Sequence, residues 1–384
     1  MWLPYRLTQL LPTRARLRKA WYQSVLFHSQ CELKRRFAIA MADNSSSSHQ
    51  TGSPTVTLVR VIGNDLYPRH RHGQALKNLK TILEDEATPA GWTKLFILNR
   101  LIDPQATQLA VAAIREAGHH VEVIPFDPAT YQTLRYQPQL FGGLDYFSSG
   151  QFEGEDVFVQ DRIRIWACGE KIRYLMNING ARNVALASGL TSTDWTFVLD
   201  GSCIVPDAAF AAFDRDLSRD SSARYLIIPM RRLSLGMDLG EADCSPSFKE
   251  EPQIGFRFDA IEQFDPVYPY GVRDKTSLLH RLGVPGPWCA WAPLPWYPGP
   301  RHRSSDRYRF TYASASVLRL TSGVDNGGLE KPSAQIKRYR SRITAIFSTL
   351  MAMDRQCSAA DSSVLPAIAG FSLEADLSTT GADH

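Results

Sequence analysis

From Asn177 to Pro206 the chain reads NINGARNVALASGLTSTDWTFVLDGSCIVP, and this stretch decides the fold. Residues 195–199 are mostly aromatic, β-branched or aliphatic, which predicts a buried strand. Asp200 and Gly201 follow directly, where a chain commonly leaves a sheet for a loop. The stretch therefore predicts a buried strand that carries a carboxylate at its carboxyl end.

Strands and helices alternate on both sides of that strand. The residue pattern predicts, in chain order, a strand at 55–62, a helix at 74–86, a strand at 94–99, a helix at 104–117 closed by Gly118, a strand at 120–125, a helix at 161–176, a helix at 181–188 between an N-cap at Asn179 and a stop at Gly189, and a strand at 224–229. Residues 127–168 instead predict a long loop or an inserted hairpin. The alternation predicts an α/β fold with a mostly parallel central sheet flanked by helices.

Polar residues follow the first two predicted strands. Asn64 and Asp65 come directly after the first strand, and Asn99 and Arg100 mark the end of the second. Parallel sheets take their ligands outside the carboxyl ends of their strands, so these side chains would line one crevice. Alternatively, they are the ordinary turn residues that follow any strand.

Residues 55–230 resemble the GT-A glycosyltransferases. In that family an Ala-Arg-Asn helix leads into a hydrophobic strand that ends in an Asp-x-Asp motif, and here Arg182-Asn183 and Asp200 stand in the same order. The chain is also similar to a group of bacterial proteins that share its Arg-Val-Ile-Gly-Asn-Asp and Asn-Ile-Asn-Gly-Ala-Arg-Asn segments. The resemblance implies a GT-A-like fold, with 55–230 as a nucleotide-sugar-binding core and 231–330 as an acceptor-side region.

The resemblance also implies an activity, which is transfer of a sugar from a nucleotide-diphosphate donor to a glycan or other hydroxyl acceptor. A Mn²⁺ or Mg²⁺ ion held by Asp200 would neutralise the departing diphosphate. Arg182 would pair with a phosphate, and Asn183 would contact the nucleotide or hold the loop. The residues expected at the donor site are Asn64, Asp65 and Asn99 from the predicted crevice, together with Arg182, Asn183 and Asp200 from the resemblance.

Ser202 departs from the family motif, because the family has a second Asp at this position. Serine is a weak neutral metal ligand. Three interpretations remain open: a metal held by Asp200 with the substrate phosphates, a metal-independent enzyme, or an inactive relative.

Residues 250–259 supply the candidates for a catalytic base. In inverting GT-A enzymes, a carboxylate after the metal motif deprotonates the acceptor hydroxyl. Glu251 and Asp259 are the candidates, with Glu250 as a third choice. Lys275, farther along, either reaches the diphosphate or is a solvated lysine.

Residues 284–300 contain three Trp and six Pro, which indicates a stiff aromatic loop. The loop either stacks against sugar rings or packs over the core. Residues 312–320 predict a strand. Residues 331–356 contain a basic amphipathic helix at 333–354, which docks on the core or on a membrane. Residues 357–384 have the composition of a disordered tail.

Composition narrows the class of protein. The formal net charge is +4, but residues 1–41 carry eight basic residues and one acidic residue, so the rest of the chain is net acidic and nucleic acid is a poor candidate partner. Six scattered cysteines without paired spacing argue against a zinc site and a disulfide framework. Since the sequence has neither a membrane-spanning apolar run nor a secretory signal, a cytoplasmic location is expected.

Residues 1–54 read as a leader, basic at first and then Ser-rich. One interpretation is a misassigned start, with Met41 as the true start and a disordered Ser-rich leader after it. The other is a peripheral membrane contact through residues 1–40.

Two other functions compete with the glycosyltransferase. One is a non-catalytic carbohydrate-binding relative that has lost the second carboxylate. The other is a nucleotidyltransferase, which would need a Gly-rich basic loop after the first strand, and Gly63-Asn64-Asp65 is not such a loop.

Overall fold

A computed structural model describes residues 54–370, apart from 192, 221, 234–238, 241, 249, 272–273, 287–303, 321–331 and 358–362. The predicted leader and most of the Trp-rich loop lie outside the described residues, so the structure leaves their predictions untested.

Among the described residues, ten strands form two sheets. Their bounds are β1 Val56–Ile62, β2 Trp92–Asn99, β3 His120–Ile124, β4 Trp195–Asp200, β5 Cys203–Ile204, β6 Tyr225–Ile228, β7 Met230–Arg232, β8 Gln253–Arg257, β9 Phe310–Tyr312 and β10 Val317–Arg319. The central sheet has the order β3-β2-β1-β4-β8-β6-β9, and a small sheet has the order β5-β10-β7. In the central sheet β8 pairs antiparallel with β4 and β6, whereas the other pairings are parallel. The predicted α/β class with a mostly parallel sheet is confirmed.

Helices flank the sheet and extend to the C-terminal side. Their bounds are α1 Gln74–Asp85, α2 Pro104–Glu116, α3 Pro128–Thr133, α4 Leu144–Phe147, α5 Gly150–Glu153, α6 Val157–Ala167, α7 Gly169–Met176, α8 Ile178–Leu190, α9 Asp207–Arg219, α10 Asp274–Leu282, α11 Pro332–Gln356 and α12 Val364–Ala369, with a 3₁₀ turn at Pro138–Phe141. Within the described residues, no helix combines the length and the apolar character that crossing a membrane requires.

Alternate residues of β4 face opposite layers of the core. Phe197 packs with Phe213 of α9 on one face. Val198 joins the cluster on the other face, where α8 lies against β1, β2 and β4. Gly189 of α8 sits so close to the sheet that a Cβ there would lie 2.4 Å from Thr196 Cγ2. This close packing holds the C-terminal end of α8 against the start of β4.

The C-terminal helix α11 docks on the core, which decides between the two predicted placements. Its apolar side is buried through Ile343, Ile346 and Phe347. Lys171 of α7 donates to Asp354 Oδ1 over 2.8 Å in a fully buried ion pair. The buried charges have partners, so α11 is fixed against α7.

Several predicted elements differ from the observed ones. The helix predicted at 161–176 is two helices that meet at Cys168, and residues 127–168 form short helices instead of an open loop or hairpin. Asn179 lies inside α8, which begins after Asn177, and Gly189 continues that helix. The strand predicted at 312–320 is the end of β9 and the whole of β10, and α12 lies within the predicted disordered tail.

Candidate functional site

The site is built around Asp200 at the end of β4. Its Oδ1 accepts a hydrogen bond from Arg182 Nη2 at 2.8 Å. Its Oδ2 accepts from Lys275 Nζ at 3.3 Å and from Gln253 Nε2 at 3.2 Å. Gln253 Oε1 in turn accepts from the backbone N of Asp200 and from Lys275 Nζ. Both carboxylate oxygens are therefore occupied by donors from other elements.

The charges around Asp200 keep it ionised. Burial alone raises the pKa of Asp200, but Lys275, Arg182 and Arg319 outweigh that effect and hold the pKa well below its usual range. Lys275 is only 2% exposed, which excludes the alternative that it is a solvated lysine. Two buried cations share one carboxylate.

These residues do not fit a divalent metal. Mg²⁺ and Mn²⁺ prefer carboxylate oxygens that are free to bind. Both carboxylate oxygens of Asp200 already accept hydrogen bonds from Arg182, Lys275 and Gln253, and position 202 is a serine. The described part of the chain also contains no group of three or more His, Cys, Asp or Glu side chains that could hold a metal ion. The predicted Mn²⁺ or Mg²⁺ finds no ready ligand set here.

Gly201 is required by close packing between strands. A Cβ at this position would lie 2.6 Å from the carbonyl oxygen of Val61 on β1. The absent side chain therefore lets the exit of β4 pass against the end of β1.

Arg182 and Asn183 both contact protein groups. Arg182 is buried, donates to Asn179 Oδ1 at 3.1 Å as well as to Asp200, and lies over the ring of Phe264. Asn183 donates to the carbonyl of Phe264 at 2.8 Å and accepts from its N–H at 3.0 Å. The two residues fasten α8 to Asp200 and to the segment after β8.

Asn64 and Asp65 organise the loop after β1. The Asn64 side chain donates to the carbonyl of Arg100 at 2.7 Å and accepts from the N–H of Ile102 at 2.8 Å. Asp65 accepts from the N–H of Ala75 in the first turn of α1. Burial raises the pKa of Asp65 in spite of this and neighbouring backbone hydrogen bonds. Both side chains are used in loop structure and helix capping.

Asn99 has a similar structural use at the end of β2. Its amide donates to the carbonyl of Met176 at 2.8 Å, and its oxygen accepts from Asn177 Nδ2 at 3.0 Å. Asn99 therefore joins β2 to the junction between α7 and α8.

The candidate bases lie at opposite ends of the sheet. Glu250 and Glu251 precede β8, at the end where β4 and β6 finish, which is called the carboxyl edge below. Asp259 follows β8 at the end where β4 begins, the amino edge. The five steps along β4 place these two edges about 16 Å apart. Asp259 is therefore not brought together with Asp200.

Glu250 and Asp259 are both bound by arginine. Arg232 Nε and Nη2 bind the two oxygens of Glu250 at 2.8 and 2.9 Å. Burial raises the pKa of Glu250, but this pairing with Arg232 brings it below its usual range. Asp259 accepts from Arg224 at 3.0 Å and from Arg257 at 2.6 and 2.9 Å, and the bonds with Arg257 lower its pKa. Carboxylates held this way are weak proton acceptors.

Basic residues that the sequence did not predict as part of the site lie at the carboxyl edge. Arg232, Arg319 and Arg342 act electrostatically on both Arg69 and Arg338 there, and these five residues are called the arginine cluster. Its members are Arg69, Arg232, Arg319, Arg338 and Arg342. They are far apart in sequence, although the basic face of α11 and the Arg231-Arg232 pair after β6 were visible signals.

No protein-family model matches the sequence, and no curated protein matches it. Among solved structures, the chain is similar to the mannosyltransferase PcManGT from Pyrobaculum calidifontis in complex with GDP-Man and Mn²⁺. The match has a TM-score of 0.37 and 12% identity, and it covers 95% of this chain and 91% of that chain. At this TM-score the two chains share too little geometry for individual residues to be matched.

Proposed function

We propose that this protein is a glycosyltransferase that moves a sugar from a nucleotide-diphosphate donor to a hydroxyl acceptor such as a glycan. The observation that carries the proposal is the arginine cluster at the carboxyl edge. In α/β proteins this is where ligands bind, and a cluster of guanidinium groups suits a phosphorylated ligand. The order of Arg182, Asn183 and Asp200 in the sequence resembles the GT-A enzymes and supports the sugar-nucleotide class.

Glu251 is the carboxylate that we propose as the base in an inverting reaction. It is half-buried and lies two residues before β8, on the side of the sheet where β4 ends. The acceptor oxygen would bond to the anomeric carbon while the bond from that carbon to the phosphate oxygen breaks. The bonding electrons leave with the diphosphate, and the hydroxyl proton passes to Glu251.

A donor screen tests the function. Melting temperature is measured with UDP, GDP, ADP and CMP in EDTA and in Mn²⁺, and donor hydrolysis is followed for the matching nucleotide sugars. We expect one nucleoside diphosphate to raise the melting temperature by several degrees, because a ligand that binds only the folded state stabilises it. The absence of any shift and any hydrolysis across the panel would defeat the proposal.

A pair of carboxylate variants tests the base. Glu251→Gln is expected to lower transfer at least 100-fold while the donor still binds, since general-base catalysis contributes about 10²- to 10⁴-fold. Asp259→Asn is the matched control, because Asp259 lies at the amino edge, and its transfer rate per folded molecule should stay near wild type. Equal loss in the two variants would rule out Glu251 as the base.

A carbohydrate-binding protein without catalysis is the second candidate. The observation that favours it is that Asp200 and Glu250 are both neutralised by basic partners. It predicts binding of glycans with no stabilisation by any nucleotide in the same screen.

A further inference from the structure

The arginine cluster is assembled from three parts of the fold. Arg319 ends β10 and is the register partner of Arg232 at the end of β7. Arg338 and Arg342 are four residues apart on α11, which places them one turn apart on the same face. Arg69 follows β1 and is held by a hydrogen bond to the hydroxyl of Tyr270. The fold therefore brings like charges together instead of separating them.

Positive charge is in excess within this cluster. Burial and the neighbouring Arg342, Arg319 and Arg232 lower the pKa of Arg69 to about 10, although Tyr270 opposes them. Burial, and then the arginines, lower the pKa of His70 to about 3, so that this imidazole is neutral. A lowered pKa means that the protonated, positively charged form of Arg69 or His70 costs more free energy here than it does in water.

The carboxylates near the cluster are already engaged. Glu250 is bound bidentately by Arg232 and lies near Arg338, while Asp200 is shared by Arg182 and Lys275. These two carboxylates raise the pKa of Arg319 in spite of its burial. Asp200 acts on Arg319, and Glu250 acts on Arg232, Arg319 and Arg338.

Three members of the cluster have donors without acceptors. The Nε atoms of Arg319, Arg338 and Arg342 are buried and make no hydrogen bond with any described residue. None of these guanidinium groups forms an ion pair in that part of the chain. All five arginines nevertheless keep a minor part of their surface exposed, which a ligand can reach. A buried donor that lacks an acceptor is costly and calls for an explanation.

We infer that the arginine cluster is a diphosphate site, which neutralises the leaving group of the donor without a divalent metal. The leaving-group role rests on the proposed function, whereas the anion site stands on the cluster itself. A diphosphate supplies several acceptor oxygens and negative charge in the arrangement that planar guanidinium groups bind bidentately. A metal ion would instead add positive charge beside five arginines, where it is repelled.

The binding test uses inorganic pyrophosphate in EDTA with the full chain. Isothermal titration calorimetry is run on wild type, Arg319→Gln, Arg342→Gln and Arg340→Gln. Arg340 is the matched control, because it is exposed on the same helix and outside the cluster. We expect wild type and Arg340→Gln to bind equally and the two cluster variants to bind about tenfold or more weakly, as loss of a charged hydrogen bond does. Equal affinity in all four proteins would overturn the inference.

Melting without ligand separates a binding role from a structural one. Arg342 disfavours the charged forms of Arg69 and Arg338, so Arg342→Gln relieves repulsion and should melt at or above the wild-type temperature. Arg319→Gln also loses the attraction of Asp200 and Glu250, so it is compared through its pyrophosphate affinity. Pyrophosphate should then stabilise both variants less than it stabilises wild type. A lower melting temperature without ligand, together with unchanged pyrophosphate affinity, would assign these arginines to folding and overturn the inference.

Asp200→Asn distinguishes the anion site from a metal site. In EDTA the variant should bind pyrophosphate at least as tightly as wild type, because it loses a neighbouring negative charge. Pyrophosphate binding that requires Mn²⁺, and that Asp200→Asn abolishes, would overturn the metal-free site and leave the glycosyltransferase standing. Conversely, metal-free pyrophosphate binding with no response to any nucleotide or nucleotide sugar would defeat the proposed function and leave the anion site standing.

Discussion

The two ends of the central sheet differ in the balance of their acidic and basic side chains. At the amino edge, Arg224 and Arg257 meet Asp259 and Asp306 in a balanced network. At the carboxyl edge, five arginines lie near Asp200 and Glu250, which already have partners, with Glu251 on the same side of the sheet. Balanced buried charges stabilise a fold or cost it little, whereas an unbalanced cluster costs free energy until a ligand arrives. The contrast indicates that the amino edge is structural and that the carboxyl edge binds an anion.

The largest expected effect comes from breaking the balanced edge. Asp306 is 1% exposed and accepts from Arg224 at 2.5 Å, from the Tyr225 hydroxyl at 2.7 Å and from the N–H of Ile261 at 3.1 Å. Asp306→Ala leaves these donors without an acceptor, and we expect the free energy of unfolding to fall by about 3 kcal/mol. Urea unfolding measures the change.

Asp306→Asn serves as the control, because it keeps an acceptor and should lose less. Pyrophosphate affinity should be unchanged in the folded Asp306→Ala protein. If that affinity fell as far as in Arg319→Gln, the two edges would not be independent. The amino edge could then not be assigned a purely structural role.

The next effect concerns Asp200 and its pH dependence. Asp200→Asn leaves Lys275 and Arg182 without their counter-ion, and we expect a loss of about 2 kcal/mol in the free energy of unfolding at pH 7. Because the folded-state pKa of Asp200 is lowered, its contribution is present above the unfolded pKa of about 3.9 and is lost as pH falls through the folded value. The difference between wild type and variant should therefore shrink from pH 5 to pH 3. A difference that stays constant with pH would mean that shape, and not charge, matters at this position.

The sequence predicted the sheet more accurately than the use of its polar residues. Strands such as β1 and β4 are recognisable because continuous apolar runs mark buried parallel strands. The ends of those strands were also placed correctly. Asn64, Asp65 and Asn99 stand at strand ends as predicted, yet their side chains bind backbone groups of neighbouring loops and helices. A single sequence does not show which backbone group will lie within hydrogen-bond distance of a given side chain.

The arginine cluster could not be predicted for a different reason. The net charge of a sequence does not show where its charged residues lie in the fold. Residues 42–384 are net acidic even though they contain the cluster. Arg69, Arg232 and Arg319 are separated by more than 80 residues from one another, and they meet only because β7 and β10 pair at the edge where β1 ends. The basic face of α11 was visible in the sequence, but its docking direction depends on tertiary contacts such as that between Lys171 and Asp354.

The smallest expected effect comes from restoring the missing carboxylate. The carbonyl of Ser202 accepts from the N–H of Leu320, so position 202 lies beside Arg319. Ser202→Asp adds a negative charge there, which should weaken metal-free pyrophosphate binding by about 1 kcal/mol, or roughly fivefold, by competing for the arginines. Ser202→Asn is the neutral control and should bind as wild type does, with both variants measured by calorimetry in EDTA and in Mn²⁺. If Ser202→Asp instead bound pyrophosphate more tightly in Mn²⁺ than wild type does in EDTA, the carboxyl edge would be a metal site that lacks one ligand. The excess of arginine would then not be the feature that distinguishes it from the amino edge.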